Sequence, residues 1–207
     1  AASPRASPSS GRTTRRAWLG LWPAFALAAC SPSPPPSARA LDISGANYGL
    51  DFHLFDGQGR ERSLADFRGK VVMLFFGFVQ CADVCPAAMF RGAEALKLLG
   101  DDGSRIQGLF VTLDPERDTP KLLAAYVPQF NPSFVGLYGD LATTEATALE
   151  YKIFFQKQPG STAKTYSVDH SANSYIYDPQ GRLRLYVKHA EAPENIAADI
   201  KQLLAEK

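Results

Sequence analysis

Two of the chain's three cysteines stand in the stretch Gly77–Met89, GFVQCADVCPAAM. Cys81 and Cys85 have three residues between them and a proline directly after the second. Thiols so spaced suit two chemistries. One is dithiol–disulfide exchange, favoured where a helix N-terminus lowers the thiol pKa. The usual redox spacing is Cys-x-x-Cys, and this loop is one residue longer. The other is metal binding. Thiolates are soft ligands suited to Cu(I) and, less selectively, to zinc. A structural zinc site takes four ligands, whereas Cys81, Cys85 and one histidine make three, which fits a Cys2His copper site.

The chain holds three histidines. His53 alternates with Phe52 and Leu54 in an expected strand and reads as solvent-facing. His189 stands beside Lys188 and reads as a surface residue. His170, in SVDHSANSY, enters an expected hairpin, from which an imidazole can face Cys81 and Cys85. A thiol peroxidase wants a hydroxyl three residues before its cysteine, and Phe78 occupies that position. A disulfide reductase stays open. A purely structural disulfide in a docking module leaves His170 unexplained.

The elements that must position these residues are legible as patterns. Asp51–Asp56 reads as a strand, followed by the glycine-rich turn DGQGR. KVVMLFFGF, just before the cysteines, is a continuous apolar run typical of a strand buried on both faces. Pro86 fits the first turn of a helix that carries Met89, Phe90, Ala93, Leu96 and Leu99 and closes at Gly100. IQGLFVTLD is a second buried strand, DTPKLLAAYVPQF a helix, FVGLYGD a third strand and TTEATALEYKIFF a helix running into extended chain. QKQPGSTAKTYSVDH reads as a hairpin or loop. ANSYIYDPQGRLRLYVKH gives two strands about a DPQG turn, and PENIAADIKQLLAEK a closing amphipathic helix. This order implies an α/β protein with a central mixed sheet flanked by helices. Cysteines after the first buried strand, at a helix start, make it thioredoxin-like, with an N-terminal hairpin and a second hairpin inserted before the last strands.

The first fifty residues have another character. Residues 1–29 carry four arginines and no acid, so the formal charge of +1 becomes −3 without them. An apolar run of 13 residues, 17–29, suits a signal peptide better than a membrane span of ~20. LAAC, ending at Cys30, resembles a bacterial lipobox, with Cys30 as the lipidated residue. Residues 1–29 are thus expected as a lipoprotein-type signal peptide, 30–43 as the lipidated cysteine and a Pro/Ser-rich tether, and 44–207 as the folded domain. TTRRAWLGL is loosely similar to a twin-arginine signal. The near-neutral charge argues against a nucleic-acid binder.

GFVQCADVCP, TLDPERDTP and YSVDHSANSYIYDPQGR together resemble the Sco/SenC family of copper proteins, and the likeness spans residues 45–205. The resemblance implies copper held by Cys81, Cys85 and His170. It implies Asp114 and Asp118 as an acidic pair whose loop supports the site and partner docking, and Asp83 as a charge that tunes the thiols. From the residues alone, Asp114 and Asp118 read as carboxylates capping free N–H groups at a strand end and a helix start. Val79 and Ala82 depart from the family's Thr-x-Cys-Pro pattern, and the missing proline should loosen the loop. The family delivers copper to the binuclear centre of cytochrome c oxidase subunit II, outside the cytoplasmic membrane. Some members instead keep exported cysteines reduced. Copper as Cu(I) or Cu(II), subunit II, other periplasmic copper chaperones, thioredoxin-like reductants and a lipid anchor on the periplasmic face, with the inner membrane favoured, are the implied cofactor, partners and location.

Overall fold

The computed structural model describes residues 40–160 and 165–206. Ten strands and four α-helices follow in chain order: β1 (Leu41–Asp42), β2 (Leu54–Asp56), β3 (Glu61–Arg62), β4 (Val71–Gly77), α1 (Val84–Leu98), β5 (Ile106–Thr112), α2 (Pro120–Tyr126), β6 (Val135–Tyr138), α3 (Leu141–Glu150), β7 (Phe155–Gln158), β8 (Ser167–His170), β9 (Ser174–Tyr177), β10 (Leu183–Val187) and α4 (Pro193–Ala205).

β4 and β5 form the spine. All seven residues of each are buried, and they pair in parallel from Val71–Ile106 to Gly77–Thr112. A strand covered on both faces needs no polar alternation, which is why both read as unbroken apolar runs. Their side chains still alternate between two cores. Val71, Met73 and Phe75 pack with Met89 and Leu96 of α1, Leu123 of α2 and Ile200 of α4. Val72, Leu74 and Phe76 pack on the other face with Ala148 of α3, Tyr151 and Tyr175. The eight-stranded sheet runs β1-β10-β9-β4-β5-β6-β2-β3, parallel at β4–β5–β6 and antiparallel elsewhere. This is the expected thioredoxin-like architecture, a mixed sheet between helices.

β7 and β8 form a separate two-stranded antiparallel sheet, the expected inserted hairpin. The expected N-terminal hairpin is the β2–β3 pair. α3 runs into the extended chain of β7 as expected, and Lys152 adopts φ 53° just beyond the helix end at Glu150.

Two expectations about the N-terminal side need correction. The strand expected over Asp51–Asp56 is regular only from Leu54. The tether expected through residue 43 stops sooner: Ala40 is buried and its N–H donates to Asp199 at 2.9 Å. Leu41 and Asp42 then pair with Tyr186 and Leu185. The expected signal peptide and Cys30 lie outside the described residues.

Asp56 closes the β2–β3 turn. Its carboxylate is 3% exposed, and it accepts from the N–H groups of Gln58 and Arg60 and from the Nε atoms of Arg60 and Arg62, at 2.9–3.1 Å. Burial pushes its pKa up, but these donors together outweigh burial and hold it at about 2. A depressed carboxyl stabilises the fold above its unfolded value near 3.8, and that contribution vanishes as pH falls through 2. Asp56→Asn is therefore expected to cost about 2 kcal/mol at pH 7 and progressively less toward pH 2. Urea unfolding of both proteins at the two pH values checks this.

A candidate metal centre at the start of the first long helix

β4 ends at Gly77, and the chain turns through Phe78–Asp83 into α1. Cys81 N–H donates to the Phe78 carbonyl at 3.2 Å, which tightens the turn. Cys85 lies in the first turn of α1 with no exposed surface, and its N–H points at the Cys81 sulfur, 3.4 Å away. Pro86 also sits in that first turn, where its missing N–H leaves no helical bond unmade. Cys81 is half-buried, and both cysteines are free thiols.

Gly77 makes room for this arrangement. A Cβ there would stand 2.8 Å from the Cys85 sulfur, 2.9 Å from Phe75 and 3.1 Å from Phe110. Gly77→Ala is expected to cost about 1–3 kcal/mol through overpacking, measurable as a lower urea midpoint, and to displace the Cys85 thiol.

His170 ends β8 and reaches across to the cysteines. Its Nε2 is 3.3 Å from the Cys85 sulfur, and Phe78 packs edge-on against the ring at 5.8 Å. Its Nδ1 lies 2.9 Å from the Ser171 carbonyl. A carbonyl only accepts, so in the neutral ring Nδ1 carries the proton, and Nε2 offers its lone pair to the sulfurs. The two sulfurs and this nitrogen lie within 4.8 Å of one another. They are the one group of three or more potential ligands drawn together among the described residues.

The two thiols are driven apart electrostatically. A hydrogen bond from the Cys85 thiol, more than any other influence, lowers Cys81, and the backbone N–H groups of Asp83 and Cys85 add to it. Together they overcome partial burial and hold Cys81 at about 5. Cys85 moves upward, chiefly because it donates to Cys81 and then because it is buried. The reduced pair is thus a Cys81 thiolate resting on a Cys85 thiol. The donor set fits a single soft metal ion. Three donors fall short of the four of a closed zinc site.

The other expected site residues stand around this centre. Asp83 is exposed and precedes α1, but its carboxylate makes no capping bond. Its backbone N–H, not its charge, acts on Cys81. Asp114 and Asp118 are fully buried, so neither side chain reaches a docking surface. Nor does either cap α2: Thr119 does so, accepting from the Leu122 N–H. Asp118 instead accepts from Val79 N–H at 2.9 Å and Thr112 Oγ1 at 2.7 Å, fastening the cysteine loop to β5, while burial raises its pKa. Asp114 accepts from Tyr166 Oη at 2.6 Å and pairs with Arg117 Nε. The other two histidines are elsewhere: His53 is exposed between Asp51 and Glu61, and His189 is exposed.

Arg117 was not singled out by its sequence. Its guanidinium stacks on the Tyr166 ring at 3.6 Å, and its Nη1 donates to the Tyr166 carbonyl at 2.7 Å and to Gln80 Oε1 at 3.2 Å. One side chain thus ties the β5–α2 loop, the cysteine loop and the entry to β8 together. An arginine three residues after an aspartate reads as an ordinary surface pair, and the sequence held no stronger signal.

A thioredoxin-like domain whose thiol pair faces an imidazole across the start of a helix defines a narrow class of protein. The model of the SCO1/SenC family matches residues 42–205, and the chain belongs to that family. The mitochondrial SCO2 homolog of Bos taurus is 35% identical over 157 residues, which are 75% of this chain and 59% of that protein, so the match spans little more than half of the longer relative. The structure of Bradyrhizobium japonicum ScoI with copper bound is 34% identical, with a TM-score of 0.69 over 77% of this chain and all of that one. Apo Sco1 from Thermus thermophilus is 36% identical, with a TM-score of 0.70 over 81% and 99% of the two chains.

Proposed function

We propose that this protein is a copper carrier that takes up one ion through Cys81, Cys85 and His170 and passes it to the binuclear copper centre of cytochrome c oxidase subunit II. The observation that carries the reading is the convergence of two sulfurs and one bare imidazole nitrogen within 4.8 Å. Copper is the cargo, held as Cu(I) by the two thiolates with His170 as third ligand, or as Cu(II) with a further ligand. Three-fold coordination leaves room for an acceptor's ligand, so copper leaves by exchange. The copper-bound Bradyrhizobium japonicum relative supports the choice of metal. Membership of the SCO1/SenC family supports the destination, since BsSco, which shares the fold at 21% identity, is one of the Sco family of cytochrome c oxidase assembly proteins. On this reading Cys30 is lipidated and holds the domain on the periplasmic face of the inner membrane. No helix among the described residues is long and apolar enough to cross a membrane. Other periplasmic copper chaperones are donors, and thioredoxin-like proteins restore the thiols, because a Cys81–Cys85 disulfide offers no thiolate to the metal.

The split thiol pair favours a second reading, disulfide reduction. The Cys81 thiolate would attack a substrate disulfide and displace one substrate thiolate. Cys85 would then resolve the mixed disulfide, leaving the Cys81–Cys85 disulfide and a fully reduced substrate.

Copper retention by the purified, reduced chain separates the two. A carrier is expected to keep one copper per chain through desalting, with thiolate-to-copper absorption that disappears in Cys81→Ala. Outer partners of a metal ligand are worth about 10–100-fold in affinity, and His170→Ala, which removes a ligand, is expected to weaken binding at least that much. A chain that keeps no copper, yet cycles its disulfide against a model substrate with or without His170, is a reductase.

A further inference from the structure

Among the described residues, β8 is paired on one edge only. In an antiparallel pair, facing residues alternate between those that exchange main-chain hydrogen bonds and those that do not. Ser171 N–H donates to the Phe154 carbonyl at 2.9 Å, which sets the phase. Asp169 and Ser167 therefore bond to β7, while Val168 and His170 turn their N–H and C=O groups toward the opposite edge. No strand among the described residues pairs with that edge.

A cleft of about 490 Å³ runs along it. All four consecutive β8 residues, Ser167 to His170, line the cleft, and no β7 residue does. A sheet face presents alternate residues, so consecutive lining marks an edge. The facing wall is the cysteine loop, with Phe78, Cys81 and Val84. Cys85 is not in the lining, so an occupant meets Cys81 and His170 first. Asp83 and Asp169 are exposed at the rim, and among the described residues no lysine or arginine lines the cleft.

We propose that the cleft receives an extended, thiol-bearing segment of the acceptor polypeptide as an added strand on β8. The segment bonds to the main chain of Val168 and His170, brings its thiol to Cys81, and carries basic residues that face Asp83 and Asp169. The proposal rests on the reading of Cys81 and His170 as the transfer site. Free main-chain groups recognise any extended backbone, which is how strand addition gains affinity. The acidic rim and the half-buried sulfur select the side chains.

The test uses the Cys30→Ser, Cys85→Ser chain and the peptide acetyl-Lys-Val-Cys-Val-Lys-amide, its cysteine activated as a mixed disulfide with thionitrobenzoate. The Cys81 thiolate attacks the peptide sulfur, forms the protein–peptide disulfide and expels thionitrobenzoate anion, so no other oxidant is needed. Amide exchange is then read residue by residue. Trapping is expected to slow exchange at Val168 and His170 at least tenfold and to leave Ser167 and Asp169 unchanged. A fully N-methylated peptide is expected to give no slowing, and a Glu-flanked peptide to be trapped at least threefold more slowly at low salt. Unslowed Val168 and His170, equal slowing by the methylated peptide, or equal trapping of the Glu-flanked peptide would overturn the proposal. Slowing at these amides without peptide, as protein concentration rises, would assign the edge to a second copy and overturn it as well. No copper is present, so failure here and failure of copper retention are separate results.

Discussion

Arg117→Met is expected to lower the stability of the domain by about 3–5 kcal/mol, the cost of breaking a buried ion pair from one side. Asp114 has no exposed surface, and the Arg117 side chain is 13% exposed. Methionine fills much of the space but leaves the Asp114 carboxylate with only the Tyr166 hydroxyl. At this domain size, ~2–4 °C per kcal/mol implies a fall of roughly 6–20 °C in Tm. Metal affinity is expected to fall with it, because Arg117 also holds Gln80 beside the cysteines and the Tyr166 carbonyl at the entry to β8. Arg117→Lys keeps the charge but not the planar fork that reaches three partners. It is expected to recover part of the stability and less of the affinity. Full stability in Arg117→Met would show that the strut contributes nothing.

Alkylation by iodoacetamide is expected to find Cys81 reactive far below the usual thiol range. In a Cys30→Ser background, the labelling rate should rise with pH through a midpoint near 5 and stay flat above pH 7, since Cys81 is already thiolate there. Below that midpoint the sulfur is protonated and unreactive. Cys85, buried and shifted upward, should label only on unfolding. Cys85→Ala removes the thiol that donates to Cys81 and is expected to move the midpoint upward, toward the ~8.5 of a free cysteine. An unmoved midpoint would locate the cause in the backbone N–H groups instead. Mass spectrometry of the labelled chain reads both sites.

The parts of this protein that were legible in its sequence are those whose physics is local. β4 and β5 announce themselves as runs of seven buried residues, and the cysteine loop follows from a strand end, two thiols and Pro86. His170 could be chosen among the histidines because it stands at the entry to the hairpin that the DPQG turn marks. Asp118 shows where such reading stops. Its position before Thr119 and Pro120 suggests a cap for α2, yet its carboxylate folds back to the N–H of Val79, 39 residues earlier. Arg117 meets the carbonyl of Tyr166 49 residues later. Neither partner leaves a trace in the residues next to it. β1 is two residues long and exists only because β10 offers it an edge, so no periodicity marks it.

Cys85 and His170 are 85 residues apart in the chain. A ribosome therefore delivers both thiols well before the imidazole, and any chain interrupted before residue 170 has a sulfur pair and no nitrogen to join it. Holding an ion with all three groups is open only to a chain that has been made past the hairpin and has closed it over α1. On the copper-carrier reading, the same centre thereby certifies that synthesis and folding have reached that point, and a half-made molecule cannot counterfeit it.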